Sequence, residues 1–208
     1  MKLSLVNLLS IVLLWSCMPS EKTEIDPDFM REIEASFKEF DNRTIYTNLD
    51  PKILSAIPDD QLEQAIIDFI FTKLEDNWEN ESAVVRSLSP ALSVFYATWI
   101  LEAEVNNGGY NQFFYNSSGQ WITEAIEGFR LFGASAHAEN AEHAFVIYKE
   151  EKERLDAYRE SGTLEAFSDS YNDTQLGKVD DDFFSITENL SQLRIAYIRR
   201  NPDQFSGF

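Results

Sequence analysis

The sequence is poor in the residues on which many metal and redox sites depend. It has one cysteine and two histidines among 208 residues. A single cysteine excludes a disulfide bond within the chain. His137 and His143 lie six residues apart in a helical pattern, which puts them on different faces of the helix, and two ligands do not make a metal site. We therefore expect no metal and no cofactor.

Positive charge is also scarce. The chain has 17 lysine and arginine residues against 36 aspartate and glutamate residues, which gives a net charge of −19. Such an excess of negative charge opposes binding to nucleic acid or to anionic lipid. We expect no direct nucleic-acid binding, and any charged macromolecular partner should be a basic protein.

Recognisable catalytic motifs are missing as well. The sequence contains no phosphate-binding Walker loop and no dinucleotide fingerprint. Glu102 and Glu104 are two residues apart on a helix and point away from each other, so they do not form a glycosidase pair. The sequence predicts no catalytic residue and a protein that is not an enzyme. A hydrolase that assembles its site from distant segments, with a pocket near Glu104 and Gln112, remains the alternative.

The apolar run Leu3–Trp15 is too short to span a membrane, but it follows Lys2 as the apolar part of a secretory signal does. It ends in Leu14-Trp-Ser-Cys17, which resembles the lipobox of bacterial lipoproteins. We expect residues 1–16 to be a signal peptide, Cys17 to be lipidated, and residues 17–26 to be a flexible tether in the cell envelope, periplasmic or surface-exposed. A plain signal peptide, or an apolar helix with an incidental cysteine, is the alternative.

From residue 27 to residue 208 the apolar residues recur with helical spacing, and no alternating strand pattern of useful length occurs. The sequence predicts an all-α fold, with a single globular multi-helix domain behind the tether. Helices should begin at Asp26-Pro27, Pro58-Asp59 and Ser89-Pro90, and Gly133 should end another. We expect a loop-rich insert over residues 161–178 and a last helix that opens at residues 180–182.

The segment from Glu104 to Gly119 is the most distinctive part of the chain. Its amides and phenyl rings do not titrate near neutrality, so they cannot supply a general acid, a base or a nucleophile. The glycine pair predicts a sharp turn through Gly108-Gly109 between two helices. Its amides either satisfy helix ends in a buried corner or line a polar pocket or partner-recognition surface. The motif residues are Glu104, Asn106, Asn107, Gly108, Gly109, Tyr110, Gln112, Phe113 and Phe114.

Residues 99–116 resemble the signature of the bacterial DNA-mimic protein family, and the similarity extends over roughly residues 60–200. The resemblance implies an all-helical, often dimeric acidic protein whose carboxylates imitate DNA phosphates and occupy the DNA-binding face of a regulator. It implies neither a cofactor nor catalysis.

Mimicry requires many ordered carboxylates on helices, because duplex DNA carries about one negative charge per 1.7 Å of its axis. We expect a basic partner to bind acids in two helical regions; the alternative is that these acids form ordinary solvated helix faces. A purely structural lipoprotein is a third possible function. The possible partner-binding residues are Asp59, Asp60, Glu63, Asp68, Glu139, Glu142, Glu150 and Glu151.

Overall fold

The computed structural model describes residues 26–75 and 78–207. The predicted signal peptide, the lipidated Cys17 and all of the tether except Asp26 lie outside the described residues. The chain divides into two compact units, residues 1–45 and residues 46–208.

The described part of the first unit is one amphipathic helix, α1, which spans Pro27–Asp41. It begins where the sequence predicts, because the Asp26 side chain accepts a hydrogen bond from the Asp28 amide and a proline occupies its first position. No residue of α1 is buried.

The second unit is a bundle of α-helices joined by short turns and 3₁₀ segments, and its described residues contain no strand beyond a single bridge between Leu49 and Gly207. The all-α prediction is confirmed. Its helices are α2 (Pro51–Ala56), α3 (Asp59–Leu74), α4 (Glu81–Ser87), α5 (Pro90–Tyr115), α6 (Ile122–Phe132), α7 (Ser135–Ser161), α8 (Leu164–Ser170), α9 (Leu176–Ser185) and α10 (Leu190–Arg200). Within the described residues, no helix is both long enough and apolar enough to cross a membrane.

Helix α5 lies at the centre of this unit and packs against α6, α7 and α9. Its predicted start is confirmed, since the Ser89 side chain accepts a hydrogen bond from the Leu92 amide. Gly133 ends α6 with a φ of 83°, as its position predicts. Large aromatic side chains from several helices fill the core, including Phe69, Phe95, Phe113, Trp121, Phe129 and Phe132.

Two predictions near the end of the chain are wrong. The expected loop over residues 161–178 contains α8, a 3₁₀ turn and the start of α9. The expected single last helix is two helices, because Asn189 caps a new helix by accepting a hydrogen bond from the Gln192 amide. Asp180 therefore lies inside α9 and not at a helix start, which matters for the site described next.

Candidate functional site

The glycine pair in the middle of α5 kinks that helix. Gly108 has a φ of −157° and a ψ of 26°, and Gly109 has a φ of 71° and a ψ of −177°. The backbone conformation of Gly109 is one that essentially only glycine adopts. A Cβ atom at Gly109 would also collide with the carboxylate of Asp180. The predicted turn is confirmed, and its second glycine is required for both reasons.

Two side chains from later in the chain hold the kink. The Asp180 carboxylate of α9 accepts a hydrogen bond of 2.8 Å from the amide of Tyr110. The hydroxyl of Tyr171 donates a hydrogen bond of 2.9 Å to the carbonyl of Gly108. Burial raises the pKa of Asp180, although the Tyr110 hydrogen bond lowers it. Two backbone groups at the kink, the amide of Tyr110 and the carbonyl of Gly108, are therefore hydrogen-bonded to side chains of two other elements.

The Glu104 carboxylate ties the helix before the kink to the segment after it. It accepts hydrogen bonds from Gln112 Nε2 at 2.7 Å, Asn116 Nδ2 at 3.0 Å and Ser118 Oγ at 2.6 Å. These three donors occupy both of its oxygens. Glu102 belongs to a different network and binds Arg194, which agrees with the prediction that the two glutamates do not act as a pair.

The aromatic members of the motif belong to the core. Tyr110, Phe113 and Phe114 are each buried, and Phe114 stacks on Tyr148 of α7 with ring centroids 4.1 Å apart. The Tyr110 hydroxyl donates a hydrogen bond of 2.8 Å to Asn140, whose amide in turn donates to the carbonyl of Val179. The motif therefore joins α5, α7 and α9 at one point.

We call this set of side chains the corner network: Glu104, Tyr110, Gln112, Asn116, Ser118, Asn140, Tyr171 and Asp180. Asn106 and Asn107 contribute nothing to it: Asn106 is half-buried, Asn107 is exposed, and neither side chain has a hydrogen-bond partner among the described residues. Sequence reasoning missed Tyr171 and Asp180, which lie 63 and 70 residues after their partners. No local pattern connects positions so far apart.

A surface pocket with a volume of about 370 Å³ lies beside the second half of α5. Its lining residues include Phe114, Asn116, Gln120, Tyr148 and Lys152, and none of them is a carboxylate. Neither Glu104 nor Asp180, the carboxylate whose pKa is raised, lines this pocket. A hydrolase site would combine a concavity with a carboxylate whose pKa is shifted. Here the pocket and Asp180 lie apart.

The histidines lie in different surroundings, as predicted. His137 is buried with its Nδ1 atom 3.0 Å from the carboxylate of Glu188, whereas His143 is exposed. Burial alone would raise the pKa of Glu188, but hydrogen bonds from His137 and from the amides of Ala136 and His137 outweigh it and lower the pKa. Glu188 thereby caps the start of α7. Within residues 26–75 and 78–207, no group of three or more histidine, cysteine or acidic side chains could hold a metal ion.

The predicted partner-binding acids of α3 do not form one exposed face. Asp68 is 4% exposed and accepts a hydrogen bond from Gln64, so its assignment to a partner surface is wrong. Asp59 and Asp60 are both exposed, and Asp59 pairs with Arg199. Glu63 lies 3.2 Å from Arg194, a guanidinium that is 1% exposed. It therefore compensates a buried cation, which makes it a structural residue.

The predicted acids of α7 divide into two groups. Glu151 accepts hydrogen bonds from the Thr174 hydroxyl and the Gln175 amide and pairs with Arg154, so it joins α7 to the start of α9. Glu142 is half-buried and pairs with Arg130. Glu139 and Glu150 are exposed. Only part of the predicted set therefore faces solvent.

Helix α7 nevertheless carries five glutamates along one face, with Val146 and Ala157 between them, and we call this face the acidic stripe. Seven positions recur at intervals of three and four residues and fall within about 80° around the helix axis. Glu142 is half-buried and the other six positions are exposed. None of the seven is basic. Glu160 was not among the predicted residues, although its spacing from Glu153 would have identified it. The stripe consists of Glu139, Glu142, Val146, Glu150, Glu153, Ala157 and Glu160.

A comparison with known protein families identifies the family of the chain. Residues 86–201 match the family model of the DMP19-like proteins, where DMP19 stands for DNA mimic protein 19. No curated protein and no solved structure matches the chain. The matched region contains the corner network and the acidic stripe, and the resemblance predicted from the sequence is confirmed there.

Proposed function

The chain belongs to the DMP19-like protein family, and on that premise we propose that it is a non-catalytic, DNA-mimic-like protein that binds a basic protein partner through the acidic stripe. We propose further that it is a lipoprotein, held in the bacterial cell envelope by a lipid on Cys17. The observation that carries the binding proposal is the alignment of five glutamates on one face of a single long helix.

The length and charge of the acidic stripe support a partner that otherwise contacts phosphates. From Glu139 to Glu160 the helix rises about 31 Å. One strand of duplex DNA places a phosphate every 3.4 Å along its axis, hence about nine in that length. Five carboxylates give roughly half of that density, and Arg130 pairs with one of them. We therefore expect affinity that depends on several glutamates together and falls steeply with salt.

The proposal that the protein is not an enzyme is supported by the hydrogen bonds of the two carboxylates in the corner network. Glu104 accepts hydrogen bonds from three side chains. Asp180 accepts one from the Tyr110 amide. A general acid or base must reach a substrate proton; both oxygens of Glu104 and Oδ1 of Asp180 already accept hydrogen bonds at the kink.

The experiment is a capture of cellular proteins by the mature chain, followed by affinity measurements on the captured basic protein. Four exposed stripe residues are changed together in one variant, Glu139→Gln, Glu150→Gln, Glu153→Gln and Glu160→Gln. A matched control changes the same number of exposed acids elsewhere: Glu165→Gln, Asp169→Asn, Asp181→Asn and Asp182→Asn. Both variants are four charge units more positive than the wild type. A difference in binding between them therefore reports the position of the acids and not the net charge.

We expect the stripe variant to lose the partner and the control to keep it, and we expect duplex DNA to compete for the captured protein. High salt should act like the stripe variant, because the Debye length falls from about 10 Å at 0.1 M to about 3 Å at 1 M. Specific binding that survives both the stripe substitutions and high salt would overturn the proposal.

A further inference from the structure

Helix α1 carries a row of large apolar side chains on one face. Phe29, Ile33, Phe37 and Phe40 are spaced by four, four and three residues, which places them on one face. None is buried, and Phe29 and Phe37 remain 40% and 44% exposed. Such a row of large apolar side chains in water is a surface that favours an apolar neighbour.

The other face of α1 is charged and mainly acidic. Arg31 and Lys38 are its bases, and both lie opposite the apolar row when each residue advances by 100°. The five acids outnumber these bases and give the helix a net negative charge. Two copies of α1 would therefore repel each other, as would α1 and an anionic lipid surface. The acids are Asp28, Glu32, Glu34, Glu39 and Asp41.

The position of α1 in the chain indicates which apolar neighbour lies close to it. Asp26 lies nine positions after Cys17, and an extended segment of that length reaches at most about 32 Å. A lipid on Cys17 would thus keep α1 close to the bilayer surface at all times. At such a high effective concentration, even a weak interfacial affinity is sufficient for binding.

We propose that α1 lies in the interface of the membrane that holds the lipidated Cys17, with its apolar row at the boundary of the acyl chains. The inference rests on the membrane tethering proposed above. Because the helix is acidic, the lipid surface it favours is zwitterionic, in contrast to the basic amphipathic helices that seek anionic lipid.

The test uses the mature chain with Cys17→Ser, which carries no lipid and no other thiol. A polarity-sensitive fluorophore is attached at Ser36→Cys in one variant and at Ala35→Cys in another. Ser36 borders the apolar row and Ala35 lies on the opposite face, so these neighbouring positions form a matched pair that removes no large apolar side chain. Phosphatidylcholine vesicles are the probe, at lipid concentrations that match the effective concentration set by the tether, so that a weak interfacial affinity is also detected.

We expect the label at residue 36 to brighten and shift to the blue on addition of vesicles, and the label at residue 35 to stay unchanged. The response should weaken as phosphatidylglycerol replaces phosphatidylcholine, and it should vanish with Phe29→Ser and Phe37→Ser. Equal responses at both positions, or none at residue 36, would overturn the inference. So would a blue shift at residue 36 that depends on protein concentration without vesicles, since it would mean that a second copy covers the helix.

A separate experiment tests whether a lipid on Cys17 tethers the protein to the membrane. Cell fractionation of the wild type and Cys17→Ala tests whether the membrane association depends on Cys17. A wild-type chain that is soluble and unmodified in cells would overturn the tether of the proposed function. The vesicle measurement needs no lipid anchor and decides the behaviour of the helix on its own.

Discussion

The corner network and the acidic stripe use the same chemical group in opposite ways. In the corner network, Glu104 and Asp180 turn their oxygens inward to amides and a hydroxyl of the protein itself. Along the acidic stripe, Glu139, Glu150 and Glu153 face solvent from one side of α7. Both regions lie within the stretch that matches the DMP19-like family.

The difference shows that the number of carboxylates in this chain is a poor guide to where a basic partner binds. An enclosed carboxylate that accepts several hydrogen bonds contributes to stability, because its removal leaves donors unsatisfied. An exposed one contributes little to stability and is available to a partner. Substitutions should therefore affect folding in the first region and binding in the second.

The largest effect on stability is expected at the kink. Gly109→Val should cost about 3 kcal/mol, because the backbone conformation excludes side chains and the new Cβ meets Asp180. For a protein of this size, that lowers the melting temperature by about 6–12 °C. Gly133→Val is the control, since Gly133 also has a positive φ but open space around it. It should cost about 1–2 kcal/mol. Equal melting temperatures for the two variants would refute the special constraint on Gly109 at the kink.

A smaller loss is expected when Glu104 is neutralised. Glu104→Gln should cost about 2 kcal/mol, because an amide can accept fewer of the hydrogen bonds that Gln112, Asn116 and Ser118 donate. Chemical denaturation measures this change in the free energy of unfolding. A variant as stable as the wild type would show that the donors find other partners and that the corner network is dispensable.

The pH dependence of stability tests how Asp180 contributes to folding. Since burial raises its pKa in the folded state, its contribution is fully present below the ordinary pKa of about 3.9 and is lost as the pH rises through the raised value. Asp180→Asn removes this titration, so the variant should gain stability relative to the wild type as the pH rises above about 4. Thermal melts across pH measure the difference, and a constant difference would contradict this account.

Glu188 serves as a control, because its effect on stability should depend on pH in the opposite direction. Its pKa is lowered in the folded state, so its contribution is present above the ordinary glutamate pKa and is lost as the pH falls through the lowered value. The loss of stability of Glu188→Gln relative to the wild type should therefore shrink at pH values below about 4. A loss that stays constant down to acid pH would mean that the cap at α7 does not depend on charge.

The smallest effect is expected for a single residue of the acidic stripe. Glu150→Gln should change stability by less than about 0.5 kcal/mol, and it should leave partner affinity nearly unchanged. Calorimetry for folding and titration for binding measure the two quantities. A large loss of affinity from this one change would point to a specific contact and against a surface that acts by its summed charge.

Much of this architecture could be predicted from the sequence because it depends on local rules. Ser89-Pro90 starts α5 and Gly133 ends α6 through contacts within a few residues. The long-range contacts could not be predicted, because they depend on packing between distant segments. Asp180 accepts a hydrogen bond from Tyr110, Arg194 pairs with Glu63, and Asp68 is buried. The periodicity of α7 contained the acidic stripe, but only the structure separates Glu151, which holds α9, from Glu150, which faces solvent.

The most direct test of the account measures melting temperature and partner affinity on two variants side by side: Glu104→Gln and the fourfold stripe variant. The account predicts that Glu104→Gln lowers the melting temperature, while the protein that remains folded binds the partner as before. It predicts that the stripe variant melts like the wild type and loses the partner. A stripe variant that still binds, or a folded Glu104→Gln protein that does not, would contradict the division between the two regions.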